Sequence, residues 1–238
     1  MALPLANVAK YELTLPSQQK TINYRPFLVK EEKILLMAME SGESKEMLSA
    51  IKEIVKSCTF NEMNAEEHPM FDIEYVFLQI RSKSVGEVAK IKVLCPDDGV
   101  TYADVEVDLS KIEVYVDDDH TSNIVIDEER KLGVTMKYPT LKDVDGDGLT
   151  GEVNIEKTYK MIENSIESIY EGETVHLSKD IEKKELTEFL ENLTADQMKK
   201  LTAFYNSMPR LEHKVKVKNP KTEVESEVTI KGLASFFV

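Results

Sequence analysis

Four histidines, two cysteines and a run of alternating aspartates are the side chains in this sequence with the greatest capacity for chemistry. Asp143, Asp145 and Asp147 stand before Gly148 and match the first half of a D-x-D-x-D-G loop, in which alternate carboxylates converge on one hard cation. The second half departs from that pattern. The twelfth position, which calls for a bidentate glutamate, is Asn154, Glu152 comes two residues early, and no helical pattern leads in from YPTLKD. The competing reading is a solvated acidic turn, and no metal is assigned on a half-match.

His68, His120, His176 and His213 are widely separated, with no i, i+4 pair and no ligand spacing to either cysteine. Each reads as a surface or packing residue. Cys58 and Cys95 cannot supply a four-cysteine zinc site, and nothing in their context supports a disulfide, so a reducing compartment is the simplest expectation. Cys58 falls on the apolar stripe of a predicted helix, where a thiol is buried and inert rather than paired with a histidine as a nucleophile. No glycine-rich phosphate loop and no G-x-G-x-x-G turn is present, and Arg81 with Lys83 is too short a basic run to read as a phosphate site. With no catalytic constellation in view, the expectation is a protein that is not an enzyme and carries no cofactor.

Charge narrows the partners. Forty-four acidic residues against 30 Lys and Arg leave a formal net charge of −14, the wrong sign for releasing counterions from a polyphosphate, so no nucleic acid is expected. A protein partner with basic surface fits this charge, as does simple solubility. No apolar run approaches the roughly 20 residues that span a bilayer, and the opening MALPLANVAKYEL lacks a basic segment followed by an apolar one. No membrane span and a cytoplasmic product are therefore expected. At the other end, Phe236 and Phe237 place two large apolar rings in GLASFFV. They either tuck back or dock on a partner, and they are the candidate partner-binding residues.

The elements that position these residues follow from periodicity. Tyr11, Leu13 and Leu15 alternate, as do Ile22 and Tyr24 across PSQQK, which predicts a hairpin. KEEKILLMAMESG predicts a short, deeply buried helix capped by Gly42. Ser44 then opens a helix with Met47, Leu48, Ile51, Ile54, Val55 and Cys58 on one stripe, and Pro69 opens a third bearing Ile73, Val76, Phe77 and Ile80. Hairpins are predicted around PDDG, with Ile91, Val93 and Cys95 facing Tyr102, Val105 and Val107, and around DEERK, with Ile124 and Ile126 facing Val134 and Met136.

Beyond the acidic, glycine-rich stretch 142–152, the spacing of Ile155, Tyr159, Ile162, Ile166 and Ile169 predicts one helix, and Leu186, Phe189, Leu190 and Leu193 another. Thr194 and Gln197 form a capping box for the next helix, which must stop before Pro209. Lys214, Lys216 and Lys218 then alternate with valines, and after NPKT so do Glu223, Glu225 and Glu227, so the last hairpin is expected to pair a basic strand with an acidic one. The resulting expectation is an α+β fold: N-terminal hairpins with short helices, then a helical C-terminal region closed by a β-hairpin. The domain boundary is placed at 142–152, an exposed linker or loop, between a hairpin-rich domain 1–141 and a helical domain 153–238.

Three segments, YRPFLVKEEKILLMAMES (Tyr24 to Ser41), IRSKSVGE (Ile80 to Glu87) and the terminal GLASFFV, resemble the baseplate hub subunit family of T4-like bacteriophages. VTMKYPTLKD and the stretch from LTEFLENLT to MPRLEH extend the resemblance over most of the chain. It implies a virion component of the central hub of a contractile tail's baseplate, assembled in the host cytoplasm, with other baseplate or tail proteins as partners and no catalytic activity. It equally implies a second role, that of a transient chaperone of tail assembly with the tape-measure protein as a client. Some relatives carry additional cysteines in the hairpins corresponding to LCPDDG and VKNPKT. This chain has only Cys95 there, so a zinc function is not expected and PDDG is expected to hold its hairpin unaided.

Overall fold

The computed structural model describes residues 7–143 and 155–232. The chain divides into two compact units, one formed by Met1–Tyr115 with Arg210–Val238 and the other by Val116–Pro209. In chain order the first unit contributes β1 (Tyr11–Thr14), β2 (Thr21–Tyr24), α1 (Val29–Ser41), α2 (Ser44–Cys58), α3 (Met70–Val85), β3 (Val88–Leu94), β4 (Tyr102–Asp108) and β5 (Val114–Tyr115). The second unit follows with β6 (Asn123–Asp127), β7 (Leu132–Met136), α4 (Ile155–Ser165), β8 (Ile166–Glu171), β9 (Thr174–Leu177), α5 (Lys183–Glu191) and α6 (Ala195–Ser207). The chain then returns to the first unit with β10 (Arg210–Lys218) and β11 (Glu225–Lys231).

The first unit is built on local hairpins packed with three helices. β1 and β2 pair antiparallel with Leu13 opposite Ile22, which puts both on the buried face. β3 and β4 pair with Lys90 opposite Glu106 and Lys92 opposite Asp104, so opposite charges line the exposed face while Ala89, Ile91 and Val93 point inward. The terminal hairpin repeats this device: Lys216 faces Glu227 and Lys218 faces Glu225, as expected, with Val215 and Val217 buried. Ile54, Val55 and Cys58 of α2 and Ile73, Val76, Phe77 and Ile80 of α3 are sealed from solvent, the stripes their spacing predicts.

α1 is not the deeply buried helix expected. Only Glu31, Leu35 and Ala38 are buried, whereas Val29, Leu36 and Met37 are 79%, 57% and 60% exposed. The six consecutive apolar residues Ile34–Met39 point all round the helix, so one packing face cannot cover them all.

In the second unit, β6, β7, β8 and β9 form one antiparallel sheet in that order. Its core joins Ile126, Val134, Met136, Ile166 and Ile169 from strands to Ile162, Leu186, Leu190, Leu201 and Phe204 from helices. α6 starts where the capping box places it: the Gln197 amide donates to Thr194 Oγ1 at 3.3 Å and the Thr194 amide to Gln197 Oε1 at 2.9 Å.

The expectation of a helical C-terminal region closed by a hairpin is corrected. Six helices and eleven strands in four sheets are mixed throughout the described residues. Ile166 and Ile169 leave the predicted helix for β8, because a β-branched residue fits a buried pleated strand as well as a helix stripe. Ser165 marks the change, its hydroxyl turned back to the Met161 carbonyl at 2.8 Å. β8 then returns as β9 through a two-residue turn, with Glu171 opposite Thr174 and Gly172 at φ 59°, the first central position where such turns favour glycine.

The closing hairpin belongs to the unit that holds the N-terminal strands. β10 pairs with β5 through Arg210 opposite Tyr115 and Leu211 opposite Val114, so the second unit leaves and rejoins the first between paired strand ends. Neither crossing lies in 142–152, of which residues 144–152 fall outside the described part.

Candidate functional site

Among the side chains first singled out, Asp145, Asp147, Phe236 and Phe237 lie outside the described residues. Asp143 is described, and its Oδ2 is engaged locally, accepting from the Thr140 amide at 2.9 Å and the Thr140 hydroxyl at 2.6 Å. Among the described residues no three His, Cys, Asp or Glu side chains gather at metal-binding distance.

Cys58 ends α2 with no exposed surface, and burial pushes its thiol up to about 11, which leaves it protonated at neutral pH. His176 lies on exposed β9, and His213 pairs across β10 with Ile230. The other two histidines each sit in a polar cluster. Ser17 donates its amide at 3.0 Å and its hydroxyl to the fully buried Asp72, and His68 Nδ1 stands 3.5 Å from the same carboxylate. In a nucleophilic relay the imidazole lies between hydroxyl and carboxylate. Here the carboxylate is in the middle, so the cluster ties the β1–β2 turn to α3.

His120 places Nδ1 2.9 Å from Ser207 Oγ and Nε2 3.0 Å from the Tyr138 hydroxyl, with its ring 5.2 Å from that of Phe204. Burial lowers its pKa, against a smaller opposing pull from Asp117. A neutral imidazole held between two hydroxyls anchors the 116–122 segment to the end of α6.

Two clusters were not legible in the sequence. The first joins hairpin turns. Asn219 Nδ2 reaches both oxygens of Asp97, Thr222 adds its hydroxyl, and Asn219 Oδ1 accepts the Lys221 amide at 2.8 Å. Asp98 organises its own turn, accepting from the Val100 and Thr101 amides at 3.1 and 3.0 Å. PDDG therefore does not hold its hairpin unaided, contrary to expectation: Asp97 is bonded to NPKT, 122 residues away.

The second cluster lies where β2 meets the helices. Glu31 of α1 accepts from Arg25 Nη2 at 2.9 Å, the Ser57 hydroxyl at 2.8 Å and the Leu28 amide at 2.8 Å. Burial raises its pKa, but these donors outweigh burial and hold the carboxyl down at about 2. The Leu28 bond caps α1, a role that the run KEEK hides because Glu31 reads there as one more exposed first-turn acid. Along α1 the side chains of Val29, Leu36, Met37 and Met39 are exposed, with exposed Glu32 and Lys33 between the first and the rest. Leu36, Met37 and Met39 form apolar surface of the kind that marks interaction sites.

The geometry defines a two-unit α+β protein, the second unit inserted in the sequence between β5 and β10 of the first, with polar clusters that lock turns in place and one helix that exposes several apolar side chains. The family model for the T4 bacteriophage base plate protein matches residues 8–238, and the chain belongs to that family. It is a baseplate-associated bacteriophage protein of the phage tail, whose partners are other baseplate proteins. No curated protein and no solved structure matches it.

Proposed function

We propose that the chain is a non-enzymatic structural subunit of the central hub of a contractile tail's baseplate, entering the assembly through protein contacts. The observation that carries this reading is the outer face of α1. Leu36 is exposed with Met37 and Met39 on either side of it, and Val29 lies two turns away on the same side beyond Glu32 and Lys33. Leaving these apolar side chains in water is unfavourable by roughly 25 cal/mol per Å² of apolar area, a cost that a partner surface removes. Two variants test it, Leu36→Glu and Met37→Glu, introduced singly into the phage. The expected result is an unchanged melting temperature for each purified variant and a lower content of it in washed virions by mass spectrometry. Absence of the unmodified protein from washed virions in which other hub proteins are detected rules the reading out.

A second reading is a transient chaperone of tail assembly, acting on the tape-measure protein and absent from the finished virion. The methionines favour it, because flexible thioether side chains adapt to varied apolar partners. Co-purification with the tape-measure protein before tail assembly and not after it is the outcome this reading requires.

A further inference from the structure

α2 ends in a turn whose Asn61 amide donates back to the Lys56 carbonyl at 2.9 Å, the six-to-one bond of a Schellman motif. The left-handed position of that motif is usually glycine. Here it is Phe60, at φ 56°, an outlier for a bulky residue. Backbone strain of this kind collects at binding sites, where the side chain is needed more than the easy conformation. The ring is not sealed in the core: it is 38% exposed, and Lys10 Nζ stands 4.9 Å from its centre.

Beside the ring lies a shallow, open groove of about 540 Å³ lined by Arg25, Lys30, Glu53, Lys56, Ser57 and Phe60 itself. The buried Glu31 binds two of these cations, Arg25 at 2.9 Å and Lys30 at 3.3 Å. Three cations, Arg25, Lys30 and Lys56, line the groove with the carboxylate of Glu53, and Glu31 neutralises one of them. Lys10 lies over the Phe60 ring beside it, which leaves the local sign positive on a chain of net charge −14. Such a patch selects negatively charged partners and suppresses basic ones.

We propose that this groove receives an extended acidic segment of another baseplate protein, with an apolar side chain against the Phe60 ring and a carboxylate between Lys56 and Lys10. The inference rests on the reading that the chain works through protein contacts, and it adds where and with what chemistry. The probe is an eight-residue peptide of alternating glutamate and leucine, titrated into the full-length isotope-labelled protein, with an alternating lysine–leucine peptide and inorganic phosphate as comparisons.

The expected result is saturable movement of the amide signals of residues 56–61 with the acidic peptide alone. Lys56→Glu should weaken that binding at least tenfold. Phe60→Gly should weaken it at least fivefold without lowering the melting temperature, because glycine relaxes the left-handed backbone. The proposal is overturned if the acidic peptide moves none of these signals, if the basic peptide binds as well, or if phosphate alone reproduces the shifts. It is also overturned if Phe60→Gly lowers the melting temperature while binding is retained, which makes the ring a packing residue. Presence of the protein in washed virions, combined with failure of the peptide, removes the groove and leaves the hub reading standing.

Discussion

The side-chain amide of Asn219 lies across the Asp97 carboxylate, with Nδ2 2.9 Å from one oxygen and 3.0 Å from the other. This contact joins the β3–β4 turn to the β10–β11 turn, and the Thr222 hydroxyl reinforces it. Thr222 and Asn219, in that order of influence, hold the Asp97 carboxyl below its usual range. Asn219 is buried, so removing its side chain strands two backbone amides as well as the carboxylate contact. Asn219→Ala should cost about 1–3 kcal/mol in urea unfolding. The double variant with Asp97→Ala should cost less than the sum of the two singles; strict additivity would show that the pair does not couple.

Glu31 ties acid stability to α1. Its folded pKa, about 2, lies below the ordinary value of 4.5, so between these values the unfolded chain binds the proton and the folded chain does not. Its contribution is therefore complete above pH 4.5 and is lost as the pH falls toward about 2. Glu31→Gln leaves the buried Arg25 without its counter-charge and should cost about 3–5 kcal/mol at neutral pH. Denaturant titrations across the acid range should show a flatter decline for this variant than for the unmodified protein.

His120 works over a higher window. Burial depresses its pKa below 6.5, with Asp117 opposing. The unfolded chain thus takes up the proton first, and the stabilising neutral form is lost as the pH falls from 6.5 through the folded value. Proton titration of the ring followed by NMR should give a midpoint below that of a histidine in a short peptide. A midpoint at or above the peptide value would refute the burial argument.

Gly133 lies opposite Tyr170 in the β7–β8 pair, and the tyrosine ring occupies the space a methyl group would need. Gly133→Ala should destabilise the second unit by about 1–3 kcal/mol, the range for overpacking. Adding Tyr170→Ala should recover part of that loss in thermal melts, because the two side chains compete for one site.

Much of the local structure was legible because it depends on neighbours in the chain. Thr194 and Gln197 are three residues apart, and their capping box needs only one turn of helix. The charge-paired hairpin follows from alternation about NPKT, since pairing across a short turn fixes register. Ile166 and Ile169 show where that reasoning fails: their spacing suits a helix, yet β7 and β9 flank that segment and claim it as a strand. The turn E-G-E-T was the available signal for β8 and β9.

The sequence by itself determined the acidic charge, the apolar stripes of α2 and α3, most of the hairpins, the Gly42 end of α1 and the capping box of α6, all set by spacings of a few residues and by composition. Ser44, by contrast, does not cap α2, whose N-cap is Glu43. Tertiary structure alone decided that Asp97 meets Asn219, that Arg25 and Ser57 converge on Glu31, that α1 leaves several apolar side chains exposed and that Phe60 takes a glycine's place. Each of these depends on which surfaces other parts of the chain leave covered or open, and loop closure over tens of residues carries no local signature. The physical divide is between interactions encoded within one turn or one hairpin and those that exist only once the hairpins and helices have packed.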